Sequence, residues 1–140
     1  MPVRSPTDIE RTSPGYAFKY AFSVVNGPCP ELEDVIASSA TSAYHYALDV
    51  LLGPFPKGEP AMATDSDVAE CYARRVLKGR FPAGEAAIMA EPRDLRMYKR
   101  MLDEDDPEGL AEFDLEHGDW VPDKVAEAAL AQARKTFQGR

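Results

Sequence analysis

The residues with the greatest potential for chemistry are His45 and Cys71, which lie 26 positions apart in the chain. Lys19 and Met97 stand one further interval before and after them, so stacked units of that length would align all four in a row. A histidine beside a cysteine can activate a thiolate nucleophile or bind a metal ion. Nucleophilic catalysis also needs an oxyanion hole and an orienting group, and the sequence indicates no such partner. We interpret the row as a partly exposed surface and keep a Cys/His-dependent enzyme as an alternative.

A row of carboxylates has the same spacing: Glu33, Glu59 and Glu85. Adjacent carboxylates raise one another's pKa, which suits acid–base catalysis or cation binding. Each glutamate also falls in the first turn of an expected short helix, where it meets the positive end of the helix dipole or pairs with Arg80 or Lys57. We favour this structural interpretation. Cys29 and Cys71 form no C-x-x-C pair of the kind that binds zinc or carries out redox chemistry. No catalytic or ligand-binding motif stands out beside the repeat, so the sequence predicts no metal site, no cofactor and no catalytic residue.

Both rows belong to a longer pattern with the same period. The aligned positions are Tyr20, Tyr46, Tyr72 and Tyr98; Gly27, Gly53 and Gly79; Pro30, Pro56 and Pro82; and Ile36, Met62 and Ile88. A period between about 20 and 50 residues is typical of repeat proteins, whose units bury their apolar faces against one another. The pattern predicts a longer helix, a turn and a shorter helix in each unit.

Apolar residues in each unit follow the spacing of one helical face. In the first unit they are Ala17, Tyr20, Ala21, Val24 and Val25. Ser13, Ser39 and Asp65 are the expected N-caps of the long helices. The glycines are expected to end those helices in a left-handed conformation, and the prolines to open the short ones. The tyrosines are therefore predicted to be core residues rather than a platform for stacking bases.

We predict an all-α protein, a short α-solenoid of helix-turn-helix repeats with a two-helix C-terminal cap. The chain is expected to form a single domain, residues 1–140. Residues 1–12 are predicted to be a flexible N-terminal arm, 13–102 to hold three repeats and a degenerate fourth, and 103–140 to form an acidic turn and the helical cap. The first cap helix is expected to start at Asp106–Pro107, and the second to run from about Pro122 to Gln138. Trp120 is expected to lie at their junction.

The third unit, CYARRVLKGRFPAGEAAI from Cys71 to Ile88, resembles short α-helical repeat proteins encoded in bacteriophage genomes. In those proteins a series of Tyr-Ala, Val, Gly-Arg-Phe/Trp-Pro and Glu recurs many times. The likeness extends over residues 13–102 and implies a helical repeat fold, but it brings no catalytic residues. The chain departs from the series because only Arg80 keeps the turn arginine, whereas Pro28 and Pro54 stand at the matching positions.

Three aromatic residues lie off the apolar stripes: Tyr16, Phe18 and Tyr44. Exposed aromatic side chains are enriched in protein interfaces, so these three are candidate contacts for a protein partner. Arg74 and Arg80 are further candidates, because they belong to a local basic patch of the third unit. The same patch leaves single-strand nucleic-acid binding as an alternative.

The strongest electrostatic feature is the run from Asp103 to Asp119, which holds nine carboxylates and no lysine or arginine. Its candidate contact residues are Asp103, Glu104, Asp105, Asp106 and Glu108. The run is interpreted as a solvated cap, as a docking site for a basic protein surface, or as a mimic of nucleic-acid phosphates. A calcium loop is not predicted, because the required D-x-[DN]-x-[DN]-G spacing is absent and Pro107 interrupts the segment.

The formal net charge of −8 at pH 7 argues against nucleic acid as a partner. The sequence contains no apolar run that could span a membrane and begins without an apolar signal segment, so we expect a cytoplasmic protein, in the host cytoplasm if phage-encoded. These features predict a non-catalytic protein-interaction module that, under the phage resemblance, binds a host or virion protein. An acidic inhibitor that mimics nucleic acid is the main alternative.

Overall fold

The computed structural model describes residues 3–117, and within that range the elements are helical, with no strand. In chain order the α-helices are α1 (Asp8–Thr12), α2 (Pro14–Lys19), α3 (Glu33–Ala37), α4 (Ala40–His45), α5 (Glu59–Met62), α6 (Ser66–Tyr72), α7 (Glu85–Met89), α8 (Pro92–Asp105) and α9 (Pro107–His117). Helices α2, α4 and α6 continue as π-helix over Tyr20–Val25, Tyr46–Leu51 and Ala73–Leu77. Short 3-10 turns at Pro30–Leu32, Pro56–Gly58 and Pro82–Gly84 lead into α3, α5 and α7. The prediction of an all-α protein is confirmed for these residues.

The helix starts follow from local side-chain chemistry. The side-chain oxygen of Ser39 accepts the Ser42 N–H at 3.3 Å, and that of Asp65 accepts the Val68 N–H at 3.0 Å. These bonds satisfy backbone donors that the first helical turn leaves free, so both N-cap predictions are confirmed. Ser13 stands at the N-cap of α2 but makes no such bond.

The left-handed residue that ends each π-helical segment is not the predicted glycine. It is the residue before, with φ of 57° at Asn26, 55° at Leu52 and 54° at Lys78. The glycine amide instead donates back into the helix, as Gly27 does to the Ala21 carbonyl at 3.2 Å. A π-helix closes wider hydrogen-bonded turns than the α-helix that the prediction assumed. The left-handed residue therefore closes the π-helix, as Lys78 does by donating to the Ala73 carbonyl at 2.7 Å, and the following glycine donates to the same carbonyl.

The segment predicted to be a flexible arm contains helix α1. Thr7 and Glu10 form a capping box at its start, and Arg4 binds Glu10 through two hydrogen bonds of 2.8 Å. The hydrogen bonds from Arg4 are the largest cause, and that from the Thr7 backbone the next, of a pKa of Glu10 lowered to about 2. The Tyr20 hydroxyl donates to the Arg4 carbonyl, which joins this segment to the first long helix. The sequence signal is TDIERTS, which aligns with EDVIASS one period later.

The core lies between successive long helices, with α2 against α4, α4 against α6, and α6 against α8. Tyr46, Tyr72 and Tyr98 are fully buried there beside small alanines, as the sequence predicts. Helix α9 packs on α8 through Phe113. Among residues 3–117 we find no helix whose length and apolar character would suit a membrane span. The predicted last helix and Trp120 lie outside the described residues.

Candidate functional site

The repeated tyrosines and glutamates bind each other. The Tyr46 hydroxyl donates to Glu33 at 2.6 Å and accepts the Cys29 N–H at 3.0 Å. Tyr72 makes the same bonds to Glu59 (2.7 Å) and to the Phe55 N–H (3.0 Å), as does Tyr98 to Glu85 (2.5 Å) and to the Phe81 N–H (2.8 Å). Each hydroxyl therefore ties a turn and a short helix to the following long helix, and we call this arrangement the tyrosine clamp.

The tyrosine clamp gives the repeated tyrosines and the repeated glutamates a structural role. Burial, followed by the hydrogen bond to a glutamate, raises the pKa of Tyr46, Tyr72 and Tyr98 well above its usual range. The hydroxyls therefore stay protonated and keep donating. Of the predicted cationic partners, Arg80 does pair with Glu85 at 2.6 Å, whereas Lys57 binds Asp34 at 3.0 Å.

The two members of the His45–Cys71 row have separate partners. The Nδ1 atom of His45 lies 3.6 Å from Asp49, one helical turn away. Cys71 is half-buried, and its sulfur lies 3.7 Å from the Arg74 guanidinium and 4.0 Å from Asp67. Burial, followed by the negative charges of Glu70 and Asp67, raises the pKa of the Cys71 thiol. Activation of a nucleophile requires the opposite shift.

We expect alkylation of Cys71 by iodoacetamide to respond to pH with a midpoint above that of free cysteine in the same buffer. The raised thiol pKa keeps the thiolate fraction small at neutral pH. Cys71→Ser is the control, because it leaves only the buried Cys29. A midpoint near or below neutrality would revive the Cys/His-dependent enzyme.

Both candidate arginines are held by internal ion pairs. Arg74 binds Glu70, a carboxylate that is only 1% exposed, at 2.7 Å. Arg80 is 11% exposed and binds Glu85 at 2.6 Å and Glu116 at 2.7 Å. The structure thus places Arg80 between the third unit and α9 rather than on an open surface.

Two groups of side chains bring possible metal-ligand atoms together: Asp67, Glu70 and Cys71, and Glu85, Glu116 and His117. In each group a guanidinium lies among the carboxylates, Arg74 in the first and Arg80 in the second. The positive charge that these carboxylates need is therefore supplied by the chain itself.

The candidate residues of the acidic run have different environments. Asp106 caps α9 by accepting the Gly109 N–H at 3.1 Å. Glu104 lies 3.9 Å from Arg100, and later in the run Asp114 binds Lys99 at 3.0 Å. Asp103, Asp105 and Glu108 are exposed and make no ion pair with any residue that the structure describes. The run is therefore partly neutralised by basic residues that precede it in the chain.

The three candidate aromatic residues do not form one exposed surface. Tyr44 is buried, which contradicts its predicted exposure, because it packs beside His45 and its hydroxyl lies 3.5 Å from the Arg75 guanidinium. Tyr16 is exposed and lies under the Lys19 ammonium. Phe18 is half-buried and stacks on Phe22, with ring centroids 5.8 Å apart.

Phe22 is the surface aromatic that sequence reasoning missed. Its side chain is 50% exposed, and the Phe18 ring behind it lies 6.0 Å from the His45 ring. Phe18, Phe22, Tyr44 and His45 thus form a continuous group across α2 and α4, which we call the aromatic cluster. The available signal was the four-residue step from Phe18 to Phe22, which puts both rings on one helical face away from the stripe.

Comparisons with protein-family models, with curated proteins and with solved structures find no match to this chain.

Proposed function

We propose that the chain is a non-catalytic protein-interaction module built as a short stack of helical repeats. The recurrence of the tyrosine clamp in three successive units supports the repeat arrangement. Repeat scaffolds commonly bind partners through one extended face. From the resemblance to phage-encoded repeat proteins, we infer a host or virion protein as the partner, met in the host cytoplasm.

The observation that carries this proposal is the exposed part of the aromatic cluster. Phe22 is half exposed, although an apolar ring of that size is usually stabilised by burial. Its neighbour Phe18 fixes the ring by stacking, so little conformational freedom is lost when a partner covers it. Preorganised aromatic side chains of this kind are typical anchors of protein interfaces.

The second candidate is an acidic inhibitor that mimics nucleic acid, favoured by the exposed Asp103, Asp105 and Glu108. Mimicry requires carboxylates that are free to meet a basic surface. The ion pairs of Asp114 and Glu116 with Lys99 and Arg80 reduce that number. We therefore rank the aromatic cluster above the acidic run.

The proposal is tested by placing the photo-crosslinking residue p-benzoylphenylalanine at position 22 and, as a matched control, at exposed Ala86 on a short helix. We expect irradiation in cells that express the chain to yield a discrete protein adduct from position 22 and none from position 86. Adducts from neither position, or the same adducts from both, would refute the interaction module. A third variant carries the crosslinker at position 105, and adducts from that site alone would favour the acidic inhibitor.

A further inference from the structure

Leu52 is an apolar residue in an unfavourable place. It adopts the left-handed conformation at the end of the second long helix, and 80% of its surface is exposed. A bulky residue is strained in that conformation, whereas asparagine enters it more readily. The equivalent positions in the neighbouring units hold Asn26 and Lys78, which suit solvent. Folding alone therefore gives no reason for a leucine at position 52.

Leu52 lines a groove between the second and third long helices. The groove has a volume of about 330 Å³, and its other lining residues include Leu48, Gly53, Arg75, Val76 and Lys78. Leu48 and Val76 pack on the core and supply an apolar floor, whereas polar groups line much of the rest of the groove. Leu48 stands one helical turn after Tyr44, so the groove begins where the aromatic cluster ends. We call this feature the Leu52 groove.

One wall of the Leu52 groove is positively charged. Arg75 and Lys78 are exposed, and neither makes an ion pair with a residue of the described range. The local positive charge of these two residues contrasts with the net charge of −8 on the whole chain. A ligand that complements the groove therefore needs large apolar side chains on one side and carboxylates on the other.

The groove walls are helices, whose backbone groups bond within each helix. An extended peptide would leave its own N–H and C=O groups without partners over an apolar floor, whereas a helix satisfies them internally. A second groove of about 300 Å³ differs in charge, because Arg74 and Arg100 share its lining with Glu104 and Asp105 beside two methionines.

We propose that the Leu52 groove binds an amphipathic, acidic helix of the partner protein, with Leu52 covered by its apolar face and Arg75 and Lys78 paired with its carboxylates. This assignment rests on the proposed interaction function and specifies the chemistry of its partner. A single nucleic-acid strand fits less well, because the floor offers aliphatic side chains rather than stacking rings.

The probe is a displayed library of random 16-residue peptides, selected on the immobilised full chain and counter-selected on the triple variant Leu52→Asn/Arg75→Ser/Lys78→Ser. We expect enriched peptides to carry net negative charge and to repeat large apolar residues at helical spacing. As free synthetic peptides, they should bind the Leu52→Asn chain at least about tenfold more weakly, because a leucine contact is lost. Salt should weaken their binding to the wild-type chain.

The matched control is Leu115→Asn, which removes an equally exposed leucine from α9 and should leave peptide affinity unchanged. Leu52→Asn should also melt at a higher temperature than wild type, which separates weaker binding from misfolding. Enrichment of basic or unpatterned peptides, or equal losses from both leucine variants, would overturn the assignment, as would tight binding of the oligonucleotide dT20 through Arg75 and Lys78. If position 22 still crosslinks a protein after such a result, only the partner chemistry fails; without that adduct, the interaction function fails as well.

Discussion

Replacing Arg80 by methionine is expected to lower the free energy of unfolding by about 3 kcal/mol, the cost of removing one partner from a buried ion pair. Arg80 donates to Glu85 from Nε at 2.8 Å and from Nη2 at 2.6 Å, and Glu85 is only 5% exposed. The variant would leave this carboxylate buried beside the Tyr98 hydroxyl without its cation. It would also remove the bonds to Glu116 that hold α9 against the third unit.

Urea denaturation measures this loss, with Arg75→Met as the control. Arg75 is an exposed arginine in the π-helical segment that precedes Arg80, and its replacement should change stability by no more than about 0.5 kcal/mol. Arg80→Lys should be intermediate, because lysine keeps the charge but cannot donate as a planar fork. Equal losses for Arg80→Met and Arg75→Met would contradict the structural role of Arg80.

The ion pair between Arg80 and Glu116 predicts how stability depends on pH. Hydrogen bonds from Arg80, the leading cause, lower the pKa of Glu116 from its ordinary value of 4.5. A carboxyl group with a lowered folded-state pKa contributes stability above its unfolded-state pKa and loses it as pH falls through the folded-state pKa. The stability difference between wild type and Arg80→Met should therefore be flat at neutral pH and decrease below 4.5.

The helices and their caps could be predicted from the sequence because their causes are local. Apolar spacing identified the faces of the long helices, and Ser39 and Asp65 marked two of their starts. The π-helical ends were missed because one widened turn barely alters the apolar pattern. Helix α1 was missed for another reason: its residues are mostly polar and none is buried, so the sequence shows no apolar stripe there.

The candidate surface was harder to predict because exposure depends on which residues meet across units. Tyr44 lies off the apolar stripe, yet His45 and Arg75 cover it. The sequence predicted a glutamate of the repeated row as the partner of Arg80, but not Glu116 of α9, which lies 36 positions away. The tyrosine clamp joins residues 13 and 17 positions apart, which no helical or strand period relates. The sequence predicted no role for Leu52, and only its left-handed backbone and exposed side chain single it out.

Side-chain packing in the turns before α3, α5 and α7 is expected to have a second large effect on stability. Two different residue pairs fill the space inside these turns. The second and third units pair a phenylalanine with a glycine three residues later, Phe55 with Gly58 and Phe81 with Gly84. The first unit instead pairs Cys29 with Leu32, and both are buried. A Cβ atom at Gly58 would lie 2.6 Å from the Ala43 Cβ and 2.7 Å from the Phe55 ring. Leu32 therefore occupies room that the phenylalanine ring takes in the other turns.

Gly58→Leu is expected to lower the free energy of unfolding by about 3 kcal/mol through overpacking, and Phe55→Cys by a similar amount through a cavity. The double variant Phe55→Cys/Gly58→Leu recreates the pair of the first unit. It should lose at most about 2 kcal/mol instead of the roughly 6 kcal/mol expected from additive changes. Thermal and urea unfolding of all four chains would measure this coupling.

The control for the swap is Gly27→Ala, because a Cβ atom there meets nothing within 4 Å and should cost little. Additive losses in the double variant would mean that the leucine and the phenylalanine fill different spaces. A recovered double variant would instead establish that the turn requires a fixed side-chain volume rather than a particular residue. Glycine at positions 58 and 84 would then be explained by the neighbouring ring together with the facing Ala43 or Ala69, since neither glycine has a left-handed backbone.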